Sequence, residues 1–224
     1  LGSHYRLVNI NINDLETQDR DLEFVMGYAR KLPQVDSNQL GIIGYDLGGM
    51  SGLILAMRNP NVDVFLSMDS GINFTHFSGM PSNHPSYREK NFTIPWMHMT
   101  QSRFIRLFRE ERKQSSLFQR KNYGISYLIH IPTVNHGCFT SYATMGIENP
   151  IAGYWGNVEK NLKILHHEIC NNALLFFNAY IKQDQKALSL LTAKANSKKI
   201  SDEFIKFEYK KGKASPPLAA TLIN

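Results

Sequence analysis

The sequence is poor in cysteine and has no long apolar run. Cys138 and Cys170 are the two cysteines among its 224 residues, too few for the disulfide framework of a small secreted domain. No apolar segment reaches the roughly 20 residues that a transmembrane helix needs, and the first residues lack the basic and then apolar order of a signal peptide. The sequence therefore predicts no disulfide scaffold and no transmembrane segment, and it leaves the localisation and the oligomeric state undetermined.

Motifs for metal or nucleic-acid binding are also missing. The histidines do not have the spacing of metal ligands, and no cluster of Cys and His accompanies them. The net charge is +6, and the basic residues concentrate in 103–113 and 194–213. Such patches bind nucleic acid or acidic membranes in some proteins, but no nucleic-acid-binding motif is present here. We interpret both segments as solvated surface and predict no metal, no cofactor and no nucleic-acid partner.

The remaining composition is that of a globular protein. Hydrophobic residues make up 42% and charged residues 20%, which suits one domain with a sizeable core. Short apolar segments predict strands at 38–46, 62–69, 93–100 and 124–131. Helical spacing predicts a helix capped by Asp14 or Thr17 that ends at Pro33, and further helices at 47–59, about 101–121 and 158–181. Apolar strands that alternate with helices are typical of a parallel sheet covered on both faces, so the sequence predicts an α/β fold.

The turn after the first predicted strand carries an acid. It reads Gly44-Tyr45-Asp46-Leu47-Gly48-Gly49, and its glycines let the backbone turn sharply without side-chain clashes. A side chain at Asp46 would project from the sheet. The amide of Leu47, at the start of the following helix, could donate to a developing oxyanion. Dinucleotide sites also use a glycine-flanked turn, but Gly-x-Gly-x-x-Gly does not match here.

Two more polar residues follow later strands. Asp69 comes directly after the second predicted strand, and His136 lies just beyond the fourth. The carboxyl ends of parallel strands meet at one edge of a sheet, so Asp46, Asp69 and His136 are expected to converge there. Alone, Asp69 is equally compatible with capping its loop together with Ser70, and His136 with an exposed loop position. Together they have the chain order of hydrolases with a strand–turn–helix nucleophile, and they predict a site.

A long connection, residues 70–92, separates the second and third predicted strands. It is rich in Asn, Ser, His, Pro and aromatic residues. Ligands of open α/β sheets bind beyond the carboxyl ends of the strands, where such loops gather. Phe74, His76 and Phe77 are therefore candidate substrate contacts. An ordinary long surface loop is the alternative interpretation.

The segments "GYDLGG", "SMDSG" and "NHGCF" resemble α/β-hydrolases, in particular the dienelactone-hydrolase-like and platelet-activating-factor-acetylhydrolase-like esterases. The resemblance covers about residues 15 to 185. In those families the nucleophile elbow reads Gly-x-Ser-x-Gly-Gly, the acid follows the next strand in a Leu-Asp pattern, and the histidine precedes a small loop with Phe. The resemblance implies an α/β-hydrolase fold with a mostly parallel sheet and a catalytic triad. Its nucleophile position would be Asp46, its acid Asp69, its base His136 and its oxyanion donor Leu47.

Two features depart from the family pattern. Asp46 stands where the family has serine, and the family's early strands have no counterpart in this sequence. The chain also does not begin with Met, so we expect it to start inside a longer gene product. We expect residues 1–191 to form the hydrolase core, with N-terminal strands missing, and residues 192–224 to form a polar, lysine-rich C-terminal extension.

An aspartate at the nucleophile position changes the chemistry. A carboxylate that attacks an ester carbonyl forms a high-energy anhydride, whereas attack on a saturated carbon forms an ordinary ester. His136, oriented by Asp69, would activate the water that hydrolyses this ester. Haloalkane dehalogenases and epoxide hydrolases of this fold use such an aspartate, usually followed by Trp, where this chain has Leu47.

The sequence therefore predicts a hydrolase that acts on a small ester-like or alkyl substrate through Asp46, His136 and Asp69. The alternative is a catalytically silent relative with a binding or structural role. In that case the two carboxylates would hold His136 as an imidazolium, because nearby anions favour the protonated form.

Overall fold

The computed structural model describes residues 11–73, 81–101, 116–131, 134, 136–143, 162–196 and 205–214. Within them, one sheet has the strand order β1-β2-β3-β4-β5. Its strands are β1 (Gly41–Tyr45), β2 (Val64–Met68), β3 (Trp96–Gln101), β4 (Ile125–Ile131) and β5 (Lys206–Lys211). The helices are α1 (Ile12–Ala29), α2 (Leu47–Arg58), α3 (Leu117–Arg120), α4 (Leu162–Tyr180) and α5 (Gln185–Asn196). Strands β1 to β4 run parallel and β5 runs antiparallel to β4, so the predicted α/β fold is confirmed.

Helices cover both faces of the sheet, because successive side chains of a strand point to opposite sides. Phe65 and Trp96 pack into a core with residues of α1 and α2. Leu66 and Met97 pack into a second core with residues of α4 and α5. This two-sided burial explains the mostly apolar sequence of β2, whereas β3 buries three polar residues as well, His98, Thr100 and Gln101. Among the described helices, none is long and apolar enough to cross a membrane.

The strand register brings the carboxyl ends of the first three strands level with one another. Tyr45, at the end of β1, pairs with Met68 at the end of β2, and Met68 pairs with Met99 near the end of β3. Residues that directly follow β1 and β2 therefore emerge at the same edge of the sheet. Strand β1 forms one side of the described sheet. That earlier strands of the fold are missing stays a prediction, because residues 1–10 lie outside the described residues.

Two predicted helices differ in detail from the structure. Helix α1 begins at Ile12, and Asn11 caps it instead of Asp14 or Thr17, because the Asn11 side chain accepts from the amides of Asn13 and Asp14. Asp14 takes the reciprocal place and accepts from the Asn11 amide. Of the helix predicted over about 101–121, the structure describes Gln101, which belongs to β3, and the four-residue helix α3, which Ser116 caps. Residues 102–115 lie outside the described residues.

The lysine-rich C-terminal segment contributes a strand to the sheet. Strand β5 pairs with β4 from Ile125↔Lys211 to His130↔Lys206. Lys210 donates to the carbonyl oxygens of Phe118, Gln119 and Lys121 at the end of α3, where a cation complements the exposed carbonyls of a helix terminus. The division of the chain into 1–191 and 192–224 stays a prediction.

The turn from β1 into α2 depends on glycine at two positions. A Cβ at Gly44 would lie 2.5 Å from the carbonyl oxygen of Gly48, and a Cβ at Gly49 would lie 2.5 Å from the Cβ of Ser70. Real Cβ atoms do not tolerate such contacts with backbone or with a packed neighbour, so α2 approaches β1 and the end of β2 only because these side chains are absent. A Cβ at Gly48, in contrast, would meet nothing within 4 Å.

This difference predicts opposite effects of two alanine substitutions. Gly49→Ala should lower the free energy of unfolding by about 2 kcal/mol through overpacking. Gly48→Ala should leave it unchanged or raise it by up to about 1 kcal/mol, because alanine favours helix over glycine. Urea unfolding measures both. Adding Ser70→Gly to Gly49→Ala should recover part of the loss, whereas equal losses for the two single variants would contradict the packing described here.

Candidate active site

Asp46 sits in a strained turn, and its carboxylate is not used to hold that turn. Its backbone has φ 50 and ψ −119, a conformation that typically costs a non-glycine residue about 1–3 kcal/mol. The Asp46 amide donates to the Met68 carbonyl, and the Asp46 carbonyl accepts from the Gly49 amide. The side chain does not cap α2 and is 51% exposed. Because the Asp46 carboxylate does not cap the helix, it is available for another partner.

Asp69 has the opposite environment. Its side chain is fully buried, and its backbone also has a positive φ, 43. One carboxylate oxygen accepts from the Gln101 amide at 3.2 Å and the Thr100 hydroxyl at 3.3 Å, and the other accepts from the Gln101 side chain at 2.7 Å. These donors compensate the desolvation of a buried charge. They also hold the carboxylate in one orientation, against the ends of β2 and β3.

His136 connects the two acids. It begins a short 3-10 turn, His136–Phe139, beyond the end of β4. Its Nδ1 lies 2.6 Å from the Asp69 carboxylate, and its Nε2 lies 3.6 Å from the Asp46 carboxylate. Because a carboxylate only accepts, Nδ1 donates its proton to Asp69, and Nε2 is directed to Asp46. The structure thus brings together the three residues that were predicted from the sequence, with the imidazole between the two acids.

The two carboxylates determine the charge of His136. Burial of the imidazole lowers its pKa, but the hydrogen bonds and charges of Asp46 and Asp69 outweigh burial and raise the pKa to about 9. At neutral pH the resting site therefore contains an imidazolium between two carboxylates. In this state His136 carries a proton on each ring nitrogen and has no lone pair with which to accept another.

Tyr45 contacts His136 twice. Its ring stacks on the imidazole, with centroids 4.6 Å apart and planes inclined by 25°. Its hydroxyl donates to the backbone carbonyl of His136 at 3.1 Å. Burial, followed by the charges of Asp46 and Asp69, raises the pKa of Tyr45, so the phenol stays neutral and remains a donor.

Sequence reasoning missed Tyr45, Thr100 and Gln101 as parts of this site. A signal existed for Gln101, because a polar residue at the carboxyl end of an apolar strand emerges at the same edge as Asp69. Tyr45 and Thr100 lie inside predicted strands, where a tyrosine or threonine is ordinary. Their partners come from other strands and loops, and the sequence does not say which side chains meet there.

Of the other nominated residues, the structure describes Leu47. It is the first residue of α2, so its amide is one of the first-turn donors that have no acceptor within the helix. Phe74, His76 and Phe77 lie outside the described residues, and their role as substrate contacts stays a prediction.

One group of acids and histidine lies elsewhere, between α1, α2 and the loop before β3. Within the described residues, only Glu16, Asp19 and His84 bring potential metal-ligand atoms within 4.8 Å of one another. Arg58 already lies between the acids, 2.9 Å from Glu16 and 4.0 Å from Asp19. His84 Nδ1 accepts from the Ser86 amide, so Nε2 carries the proton of the neutral ring. Burial raises the pKa of Asp19 to about 7, and the group is better described as an ion-pair cluster than as a metal centre.

Comparisons of the sequence with family models and with curated proteins found no match. Comparison of the structure with solved structures does find matches, among them a ferulic acid esterase from Streptomyces cinnamoneus. The match has a TM-score of 0.65 and 16% sequence identity, and it covers 89% of this chain and 56% of that enzyme. The chain therefore spans little more than half the length of that esterase. At this identity the likeness establishes the α/β fold alone, and membership of the α/β-hydrolase superfamily and of its esterase branch stays a prediction.

Proposed function

We propose that this protein is a hydrolase of the α/β-hydrolase type that acts on a small ester-like or alkyl substrate. Asp46 is the nucleophile, His136 the base and Asp69 the acid that orients it. One observation carries the proposal: the accessible carboxylate of Asp46 faces Nε2 of a histidine whose Nδ1 is bonded to a buried carboxylate. The similarity of fold to an esterase supports a hydrolytic reaction in general.

The first step forms an ester on the enzyme. A carboxylate oxygen of Asp46 attacks a saturated carbon, and the bond from that carbon to its leaving group breaks as the new carbon–oxygen bond forms. The leaving group takes the electron pair: bromide departs, whereas the oxygen of an epoxide stays attached to the alkyl chain and takes a proton from the His136 imidazolium. Attack on an ester carbonyl would instead give an anhydride, so alkyl carbons with a good leaving group are the better electrophiles.

The second step hydrolyses that ester and needs His136 as a base. Once Asp46 is esterified its negative charge is gone, and one of the two carboxylates that raise the pKa of His136 is lost. The pKa then falls, and Nε2 can release its proton and accept one from water. Water attacks the carboxyl carbon of Asp46, and the Leu47 amide stabilises the resulting oxyanion. Collapse of this intermediate expels the alkoxide, which takes the proton from Nε2 and leaves as the alcohol. The neutral imidazole then takes the acid proton of Asp46, which restores the carboxylate and the imidazolium.

Isotope labelling tests the nucleophile. In a single turnover of a short 1-bromoalkane or a terminal epoxide in water enriched in oxygen-18, the Asp46 carboxylate should gain one labelled oxygen. The product should carry an unlabelled oxygen, because its oxygen comes from Asp46. Peptide mass spectrometry locates the label. Asp46→Ala should abolish turnover and labelling, and Asp21→Asn, at an exposed acid of α1, should change neither.

Two results would contradict this mechanism. Esterase activity that appears only in Asp46→Ser would identify a silenced esterase. A complete absence of turnover and of alkylated Asp46 with all three substrate classes, aryl esters, bromoalkanes and epoxides, would leave the binding alternative.

The charge of His136 gives a pH prediction. In the resting protein the imidazole should titrate near pH 9, and Asp46→Ala should lower this midpoint because one carboxylate is lost. The folded-state pKa lies above the ordinary 6.5, so His136 stabilises the fold fully below pH 6.5 and loses that contribution as pH rises to about 9. The total is on the order of 3 kcal/mol.

NMR of histidine-labelled protein measures the midpoint directly. Urea unfolding of wild type and His136→Gln between pH 6 and 10 measures the contribution of His136 to stability. The difference in the free energy of unfolding between the two proteins should narrow as pH rises. A His136 midpoint at or below 6.5 in the wild type would contradict the described ion cluster.

Asp69 should matter mainly for the second step. In Asp69→Asn the side-chain amide would meet donors from both Gln101 and His136, which favours the His136 tautomer with its proton on Nε2. That tautomer cannot accept a proton from water, so ester hydrolysis should slow by roughly 10³- to 10⁴-fold, while ester formation should slow far less. Rapid-quench mass spectrometry should then detect alkylated Asp46 accumulating. Equal slowing of both steps would argue against an orienting role.

A further inference from the structure

Tyr45 contacts both the imidazole ring and the backbone of His136. It is the last residue of β1 and directly precedes Asp46. Its ring stacks on the His136 imidazole, and its hydroxyl donates to the His136 carbonyl. The side chain packs against the core on the α4 face of the sheet, so its position is determined by the sheet and not by the loop that it contacts.

The loop has little regular structure of its own to hold His136 in place. The turn His136–Phe139 is a single 3-10 turn. It is anchored from α4 by His166, whose Nδ1 donates to the Cys138 carbonyl at 3.1 Å. Tyr45 anchors it from β1 at the His136 carbonyl at 3.1 Å. Of these two anchors, Tyr45 also contacts the imidazole.

The two contacts of Tyr45 have separable physical effects. The hydroxyl bond fixes how far the turn stands from the end of β1, and therefore how far Nε2 lies from Asp46. The stacked ring restricts rotation of the imidazole about its χ2 angle. The face of an aromatic ring also attracts a cation, so stacking favours the imidazolium over the neutral imidazole.

We propose that Tyr45 is a positioning residue for the site, which holds the imidazole of His136 in line between Asp69 and Asp46. The role in catalysis rests on the proposed function, whereas the effect of Tyr45 on His136 itself does not. The charged groups that face His136, Asp46 and Asp69, remain in every variant used to test it.

Two substitutions separate the contacts, and a third is a matched control. Tyr45→Phe removes the hydroxyl bond and keeps the stacked ring, and Tyr45→Leu removes both. Tyr180→Phe deletes a tyrosine hydroxyl of the same core that bonds to Tyr127 and not to the site. The readouts are the NMR titration of His136 and, with a bromoalkane, the separate rates of ester formation and ester hydrolysis.

Tyr45→Phe should leave the His136 midpoint within about 0.3 pH units of wild type, because the ring remains. It should slow ester hydrolysis about 10-fold and leave the rate of ester formation unchanged, because Nε2 loses its fixed distance from the ester. Tyr45→Leu should lower the midpoint by about 0.5–1 unit and slow hydrolysis about 100-fold. Tyr180→Phe should change neither the His136 titration nor the reaction rates. Thermal unfolding should show similar losses of stability for Tyr45→Phe and Tyr180→Phe.

The outcomes distinguish this proposal from the proposed function. A His136 midpoint that is the same in Tyr45→Leu as in wild type, or hydrolysis that slows equally in Tyr180→Phe and Tyr45→Phe, overturns the positioning role. A midpoint that shifts in Tyr45→Leu while wild type forms no ester with any substrate supports the contact between Tyr45 and His136 and overturns the hydrolase proposal alone.

Discussion

The site depends on the hydrogen bond between the His136 imidazole and the Asp69 carboxylate, 2.6 Å long. Asp69 is fully buried and receives donors from Thr100 and Gln101 as well. Several donors compensate the desolvation of this buried carboxylate and hold it in one orientation. It therefore determines which nitrogen of His136 carries a proton towards the core and which nitrogen faces Asp46.

The backbone around this bond is strained where the functional side chains emerge. Asp46 and Asp69 both have positive φ values, at the ends of neighbouring strands. Such conformations persist when the surrounding packing determines them, and here α2 packs so closely on β1 and β2 that Gly44 and Gly49 leave no space for a Cβ. The close packing at the glycines and the strained backbone of Asp46 have the same cause. Helix α2 lies so close to β1 that the chain must turn sharply at Asp46.

The electrostatics of the site fit the proposed carboxylate nucleophile. The carboxylates of Asp46 and Asp69 raise the pKa of His136, so the resting imidazole is protonated. In the proposed mechanism the carboxylate needs no base for its attack, and esterification would remove one of the charges that keep His136 protonated. His136 would then become a base at the stage at which water must be activated.

Much of this arrangement was predictable from the sequence, for local reasons. Apolar runs and helical spacing depend on near neighbours in the chain, so the four parallel strands, α2 and α4 were anticipated to within a few residues. The positions of Asp46, Asp69 and His136 just beyond strand ends followed from the same patterns. Tertiary structure alone decided that Thr100 and Gln101 bond to Asp69, that Tyr45 stacks on His136, and that a lysine-rich segment adds β5. These contacts join residues that are distant in the chain, and their geometry depends on strand register and packing, which no local pattern of residues encodes.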